Sequence, residues 1–298
     1  MMNKEFVKNY CDKFEESFNI FLPKKECSYS TVTEAMRYSF LLGGKRVRPC
    51  ILMEFYKICG GKEDYALPFA VALEMIHTYS LIHDDLPCMD DDDIRRGKPS
   101  NHIVYGEDMA LLAGDGLLTH AFFVASSTEN IEPALCLKAL RELAHLAGFE
   151  GMIGGQVIDL QSEDKDVPAE TIFEINSLKT GALIRCAMLL GYFAACDAPE
   201  DEIISDIEGY ATNLGVAFQV RDDILDKISD TATLGKPVGS DDKNGKTTSL
   251  TFMSVDEAQG LVNKYTEEAI SLIEKYYIDK NGLCSLIELA SYMVGRSY

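Results

Sequence analysis

At 298 residues, with 47% apolar and 26% charged side chains, the chain can supply a substantial core, and no repeat, low-complexity tract or Pro/Ser-rich linker divides it, so one domain over 1–298 is expected. A formal charge of -20 argues against a nucleic-acid partner, which needs a clustered basic footprint. The nine cysteines are odd in number and lack CxxC spacing, so they read as small buried hydrophobes in a reducing cytoplasm rather than as disulfide or zinc ligands. No stretch reaches the roughly 18 consecutive apolar residues of a membrane span, and the N-terminus lacks a signal-type apolar run, so a soluble cytoplasmic protein with no integral membrane segment is expected.

Helical periodicity dominates and alternation is scarce, so the fold class is all-α, a single-domain helical bundle. In chain order, the pattern predicts helices over Glu5–Phe21, Thr31–Leu42 and Pro49–Cys59. The next opens at Pro68, a residue suited to a first helical turn, and runs to Asp85 with Phe69, Ala72, Leu73, Ile76 and Ser80 at three- and four-residue steps. Asp108–Ser126, Pro133–Gly151 and Ala169–Gly191 follow. A second long stripe, Ile203, Ile207, Tyr210, Ala211, Leu214, Phe218 and Leu225, ends at Asp226; Val255–Tyr277 and Cys284–Val294 complete the set. Between Asp230 and Lys246, glycines and Pro237 interleave with Lys236, Lys243 and Lys246, the composition of a basic loop, whose plain reading is a surface connection.

Both stripes end in aspartates: Asp84-Asp85-Leu-Pro-Cys-Met-Asp90 and Asp222-Asp223-Ile-Leu-Asp226. Hard divalent cations take oxygen ligands from carboxylates and phosphates together, so two such clusters suggest opposite walls of a metal-filled cavity. In the second, positions i and i+4 share a helix face, which aligns Gln219, Asp222 and Asp226. In the first, Asp84 and Asp90 fall about 120° out of phase on an ideal helix, so the helix must distort, with Pro87 as the cause. Asp84 is in phase with His77 and Ser80, so a cavity beneath it is lined by Ser80, His77 and Leu73. The run Asp90 to Asp93 has a solvated acidic turn as its plain alternative. A calcium loop is not supported by any register of the ligands, and the scattered histidines disfavour zinc. His83 beside Asp84 reads either as a partner to the metal ligands or as an ordinary hydrogen-bonded helix histidine.

A third group, Gly43-Gly44-Lys45-Arg46-Val47-Arg48-Pro49, offers cations on a flexible turn, with arginine suited to bidentate phosphate contacts. It is not a P-loop. With so acidic a chain, anionic substrates require metal ions and a local gathering of the few basic residues, and Arg95-Arg96 after the acidic run fits that need.

Together, GGKRVRP at 43–49, EMIHTYSLIHDDLPCMDDDDIRRGKPSNH at 74–102, GGQVIDL at 154–160, KTGALI at 179–184, FQVRDDILD at 218–226 and GKPVGSDDKNGKT at 235–247 resemble the trans-prenyltransferases of the short-chain polyprenyl diphosphate synthase family. Bacterial members that make the fifteen-carbon farnesyl diphosphate are nearest in pattern. The resemblance implies the isoprenoid synthase fold, a helical bundle with a central cavity, usually paired as a homodimer. It implies Mg2+ held by Asp84, Asp85, Asp90, Asp222, Asp223 and Asp226, with Asp84, Asp90 and Asp222 the preferred direct ligands. Arg95, Lys179, Thr180, Gln219, Lys236 and Lys246 are implied to grip the allylic diphosphate, and Lys45, Arg48, His77 and Arg96 to hold isopentenyl diphosphate.

The resemblance also implies that Tyr79 and Ser80, just before the first aspartate motif, set product length. Tyr79 resembles an aromatic stop at fifteen carbons, whereas Ser80 leaves room for more than ten. Helix phase places Tyr79 about 140° round from Asp84, on the flank, so a core aromatic is its alternative reading. A twenty-carbon product stays open. A non-catalytic helical partner subunit and a terpene cyclase are the rival functions; the complete aspartate and cation sets count against both. Arg296 is a further candidate over the second substrate, or a tail residue without a role.

Overall fold

The computed structural model describes residues 14–15, 17–24, 28–228, 248–274 and 290, with positions 226 and 228 by backbone alone. Numbered from Ser30, the helices are α1 (Ser30–Leu41), α2 (Val47–Ile58), α3 (Leu67–Asp84), α4 (Asn101–Tyr105), α5 (Glu107–Ala125), α6 (Pro133–Ala147), α7 (Met152–Ser162), α8 (Ala169–Ile175), α9 (Ala182–Ala195), α10 (Asp201–Ile228) and α11 (Val255–Glu274). A π-helical turn, Asn176–Gly181, joins α8 to α9. The only sheet among the described residues is a two-stranded hairpin, β1 (Ile94–Arg95) and β2 (Lys98–Pro99).

The centre of the bundle is α3. Phe69 through Leu73, then Met75 and Ile76, are fully or almost fully buried around its whole circumference, as expected of a helix that is apolar on all sides. It packs on α2, α5 and α9, and more lightly on α1. α9 is similarly enclosed, by α2, α6 and α10, and α10 pairs along its length with α11. Two helical runs, Glu107–Ala125 and Ala169–Ala195, are long and apolar enough by length and composition to cross a membrane; 72% of the second lies inside the bundle, whereas 39% of the first does.

Where sequence and structure part, a tertiary requirement is visible. The helix expected over Pro133–Gly151 stops at Ala147, and an unpredicted helix, α7, begins at Met152. The expected helix over Ala169–Gly191 is continuous but accommodates an extra residue in its π turn. The hairpin was not foreseen either. Its connection, Arg96-Gly97, has φ of 53° and 73°, the left-handed pair of a tight type I′ turn, with Ile94 opposite Pro99 and Arg95 opposite Lys98.

Candidate active site

The first aspartate motif is built by ending a helix. α3 stops at Asp84, three residues before Pro87, which has no N–H to continue the helix and clashes with the preceding turn. The break expected near Pro87 is present, and beyond it the chain turns back on itself. The Asp90 amide donates to the Asp84 carbonyl at 2.9 Å and the Asp91 amide to Leu86 at 3.2 Å. Asp84 and Asp90 thus approach through the backbone. Burial pushes the Asp84 carboxyl up to about 6; nearby Lys179 and Arg95 pull it down, and Asp90 and Asp85 push it further up.

Asp85 plays a different part. It is 2% exposed and accepts from Arg95 Nε at 2.8 Å and from Arg95 Nη2, which also reaches Asp92 at 3.1 Å. Arg95, expected on the allylic diphosphate, also clamps the acidic turn, and it lies on β1. A small cavity lined by Tyr38, Thr78, Asp85, Arg95 and Arg96 lies behind this turn.

A cluster of cations sits beside it. Arg46, not singled out from sequence, takes a left-handed φ of 46° at the start of α2 and turns its side chain inward. Its guanidinium donates to Glu74 of α3 at 2.6 Å and to the Phe40 carbonyl at 2.6 Å, and lies 5.0 Å from the Phe18 ring centroid and 5.5 Å from that of Phe40. Both partners of this ion pair are essentially sealed from water. The turn is thereby pinned, with Lys45 exposed on it and Arg48 half-buried in the first turn of α2. Arg96 donates to the Gly43 carbonyl. His77 lies within the influence of Arg48, Arg96, Arg46 and Arg95, and burial first, then those cations, hold its pKa well below 6.5. Glu74 is the carboxylate that opposes this crowding at Arg48 and Arg96. Of the residues expected on the second substrate, Arg48, His77 and Arg96 are therefore brought together.

The π turn joins the two aspartate motifs. Lys179, which feels Asp84, donates to Asp159 of α7 at 2.7 Å. The next residue, Thr180, donates to Gln219 of α10 at 3.3 Å, and Gln219 in turn reaches Asp223 at 3.5 Å. Extra residues in an α-helix of this kind commonly re-aim side chains at functional sites. Glycines permit the approach: a Cβ on Gly155 would collide with the Lys179 backbone, and one on Gly215 would lie 2.8 Å from Gly181 Cα. α7 and α10 can therefore press directly on the turn.

On α10 the helix is unbroken through residue 228, so the expected alignment of Gln219, Asp222 and position 226 holds for the backbone. Asp222 is half-buried. Asp223 is 7% exposed and accepts from the Ser249 amide at 2.9 Å. The side chain of Asp226, and Lys236, Lys246 and Arg296, lie outside the described residues.

Ser80 donates to the His77 carbonyl at 2.9 Å, while Leu73 is fully buried. Tyr79 is 5% exposed and makes an edge-to-face contact with His83 at 5.7 Å between centroids. Its place on α3, on the flank of Asp84, is the one helical geometry requires, and its hydroxyl still feels the Asp84 charge. Sequence reading passed over Asp159 and Gln156, although their motif was noticed. Both polar atoms of the Gln156 side-chain amide are buried without a hydrogen-bond partner among the described residues, one turn before Asp159 on α7.

The all-α bundle thus sets an aspartate motif on each side of a shared lysine-threonine turn. The chain matches the polyprenyl synthetase family over residues 29–278 and belongs to it, as a prenyl-transferring enzyme of the short-chain trans group. It is 44% identical to a geranylgeranyl diphosphate synthase of Cyanophora paradoxa over 95% of this chain and 93% of that one. It is 40% identical to a farnesyl diphosphate synthase of Bacillus subtilis (strain 168), covering 97% and 98%. The geranyltransferase of Helicobacter pylori, solved in complex with magnesium and isoprenyl diphosphate, superposes with a TM-score of 0.87 at 27% identity, covering 99% of each chain.

Proposed function

We propose that this enzyme condenses isopentenyl diphosphate head-to-tail with dimethylallyl and then geranyl diphosphate to give (2E,6E)-farnesyl diphosphate. The observation that carries the reading is the linkage through the π turn: Lys179 faces Asp84 of one motif while Thr180 reaches Gln219 on the ridge of the other. An allylic diphosphate between the motifs meets carboxylates from both sides and a cation from the third.

The donor set suits magnesium. Burial first, and then the Asp90 charge, push the Asp84 carboxyl toward protonation, a conflict a divalent cation relieves. Among the described residues no three or more His, Cys, Asp or Glu side chains gather closely enough to hold a metal by themselves, so magnesium would be held here only together with diphosphate oxygens. Asp84, Asp90 and Asp222 are the direct ligands in this reading, with Asp226 completing the ridge. Asp85 and Asp223 hold the frame through Arg95 and the Ser249 amide. Bound magnesium supplies Lewis-acid withdrawal of charge into the departing diphosphate.

The protein's own residues do the rest. Lys179 and Thr180 place a cation and a hydroxyl where negative charge grows on the leaving group, and preorganised donors of this kind lower the barrier to ionisation. Gln219 orients Thr180. Lys45, Arg48 and Arg96 hold isopentenyl diphosphate with its double bond toward the allylic carbon, and His77, neutral at pH 7, adds a hydrogen bond rather than a further charge. The apolar walls of α3, α5 and α9 exclude water that would trap the cation. The double bond attacks, and a proton leaves to the released diphosphate. Lys236 and Lys246 complete the grip on the allylic diphosphate. The protein acts as one domain over 1–298 in the cytoplasm and as a homodimer. The exposed apolar residues Leu111, Leu112 and Phe123 of α5 support the pairing.

Tyr79 supports a fifteen-carbon stop. A geranylgeranyl diphosphate synthase is the second reading, favoured by the 44% identity to the Cyanophora enzyme and by the small Ser80. Purified protein incubated with isopentenyl diphosphate, each allylic starter and magnesium is expected to yield a fifteen-carbon product by chromatography after dephosphorylation. A predominantly twenty-carbon product overturns the farnesyl assignment, and no condensation with any starter overturns the enzymatic reading.

A further inference from the structure

The side chain that would stop the growing product has no polar anchor of its own. Tyr79 is 5% exposed, yet its hydroxyl has no hydrogen-bond partner among the described residues. Packing alone therefore sets the position of its ring. The ring edge meets the imidazole of His83, four residues on and on the same face of α3, at 5.7 Å between centroids and an interplanar angle of 79°.

His83 is itself held from the other helix. Its Nε2 donates to the Leu111 carbonyl of α5 at 3.0 Å, and it occupies the space a side chain at Gly114 would fill, since a Cβ there would collide with Nε2. A hydrogen bond fixes one end of the imidazole, the bare backbone of Gly114 accepts its face, and Tyr79 leans on what remains. The missing methyl at Gly114 is thus used: it lets α5 come close enough to seat His83, and the Tyr79 ring rests against His83.

We infer that His83 and Gly114 are positioning residues for product length, acting through Tyr79. The inference rests on the proposed role of Tyr79 as the stop. Neither residue touches substrate in this account; each sets how far the tyrosine ring swings into the path of the chain. The ring alone matters, not the hydroxyl, because the hydroxyl is unanchored.

The test compares product length in wild type and in Tyr79→Ala, Tyr79→Phe, His83→Ala, His83→Gln and Gly114→Ala, at matched conversion of isopentenyl and dimethylallyl diphosphate with magnesium. Tyr79→Ala, His83→Ala and Gly114→Ala are each expected to raise the ratio of longer to wild-type product by roughly fivefold or more, within the range that one altered wall contact gives in discrimination. Tyr79→Phe should keep the wild-type ratio. His83→Gln, whose amide can still donate to Leu111, should recover most of it. A role in stability alone would lower turnover or melting temperature without moving the ratio. If Tyr79→Ala lengthens the product and His83→Ala does not, the positioning role is overturned while the stop survives. If Tyr79→Ala leaves product length unchanged, the stop itself fails and the positioning role with it. Should Gly114→Ala not fold, His83→Ala decides the matter.

Discussion

The two aspartate motifs have similar spelling and opposite construction. Asp222 and position 226 are aligned by one uninterrupted helix, so their geometry follows from the helical repeat. Asp84 and Asp90 are aligned by the end of a helix, with the Asp90 amide returning to the Asp84 carbonyl. What the motifs share lies in their middle residues: Asp85 and Asp223 are both buried and tied to groups of the protein, a guanidinium in one case and a backbone amide in the other. Paired aspartates here divide the work, one presenting a carboxylate and its neighbour holding the frame.

That division is broken most directly at the presenting positions. Asp84→Ala and Asp222→Ala are each expected to lower kcat/KM by roughly a thousandfold, about 4 kcal/mol of lost transition-state stabilisation, with little change in melting temperature. Steady-state kinetics and calorimetry on the same samples check both halves, and full activity in either variant removes that residue from the metal set. A smaller effect, on stability, separates the framing residues. Asp85→Asn leaves Arg95 only the more exposed Asp92 as a charged partner and should cost about 2 kcal/mol. Asp223→Asn still offers an oxygen to the Ser249 amide and should cost about 1 kcal/mol or less. Urea unfolding of the metal-free protein reads the difference, and equal losses would erase the asymmetry.

The smallest effect concerns pH. His77 is held below its ordinary pKa by burial and by Arg48, Arg96, Arg46 and Arg95. The unfolded chain therefore binds this proton more readily than the folded one, so stability falls as pH drops below about 6.5. His77→Gln should flatten that acid-side slope in urea midpoints taken between pH 7.5 and pH 5.5. The aspartates contribute to both proteins alike, so only the difference between them counts.

Much of this site was legible because it is periodic. The stripe from Ile203 to Leu225 placed Gln219 and Asp222 on one face, and the phase of α3 put Tyr79 to the flank of Asp84, where it lies. What escaped was set by tertiary contact. Nothing in Pro87 announces that the Asp90 amide closes on Asp84. α7 carries Gly154 and Gly155, weak helix formers, and Gly155 is required there because the Lys179 backbone passes against it; that collision is invisible along one chain. Asp159 was hidden for the same reason, since its partner Lys179 comes from 20 residues away. Arg46 looked like one more cation in a basic turn, and only its left-handed backbone turns it inward.

The sealed contact between Arg46 and Glu74 also constrains how this protein can change. Losing either partner alone strands a buried charge, at a cost of about 3 to 5 kcal/mol, a large share of the 5 to 15 kcal/mol that commonly separates folded from unfolded domains. Losing exposed Lys45, on the same turn, strands no buried charge, so its exchange is felt in substrate binding rather than in folding. Arg46 and Glu74 can be rebuilt only together, so the foundation of the second-substrate pocket is reached only by a double substitution.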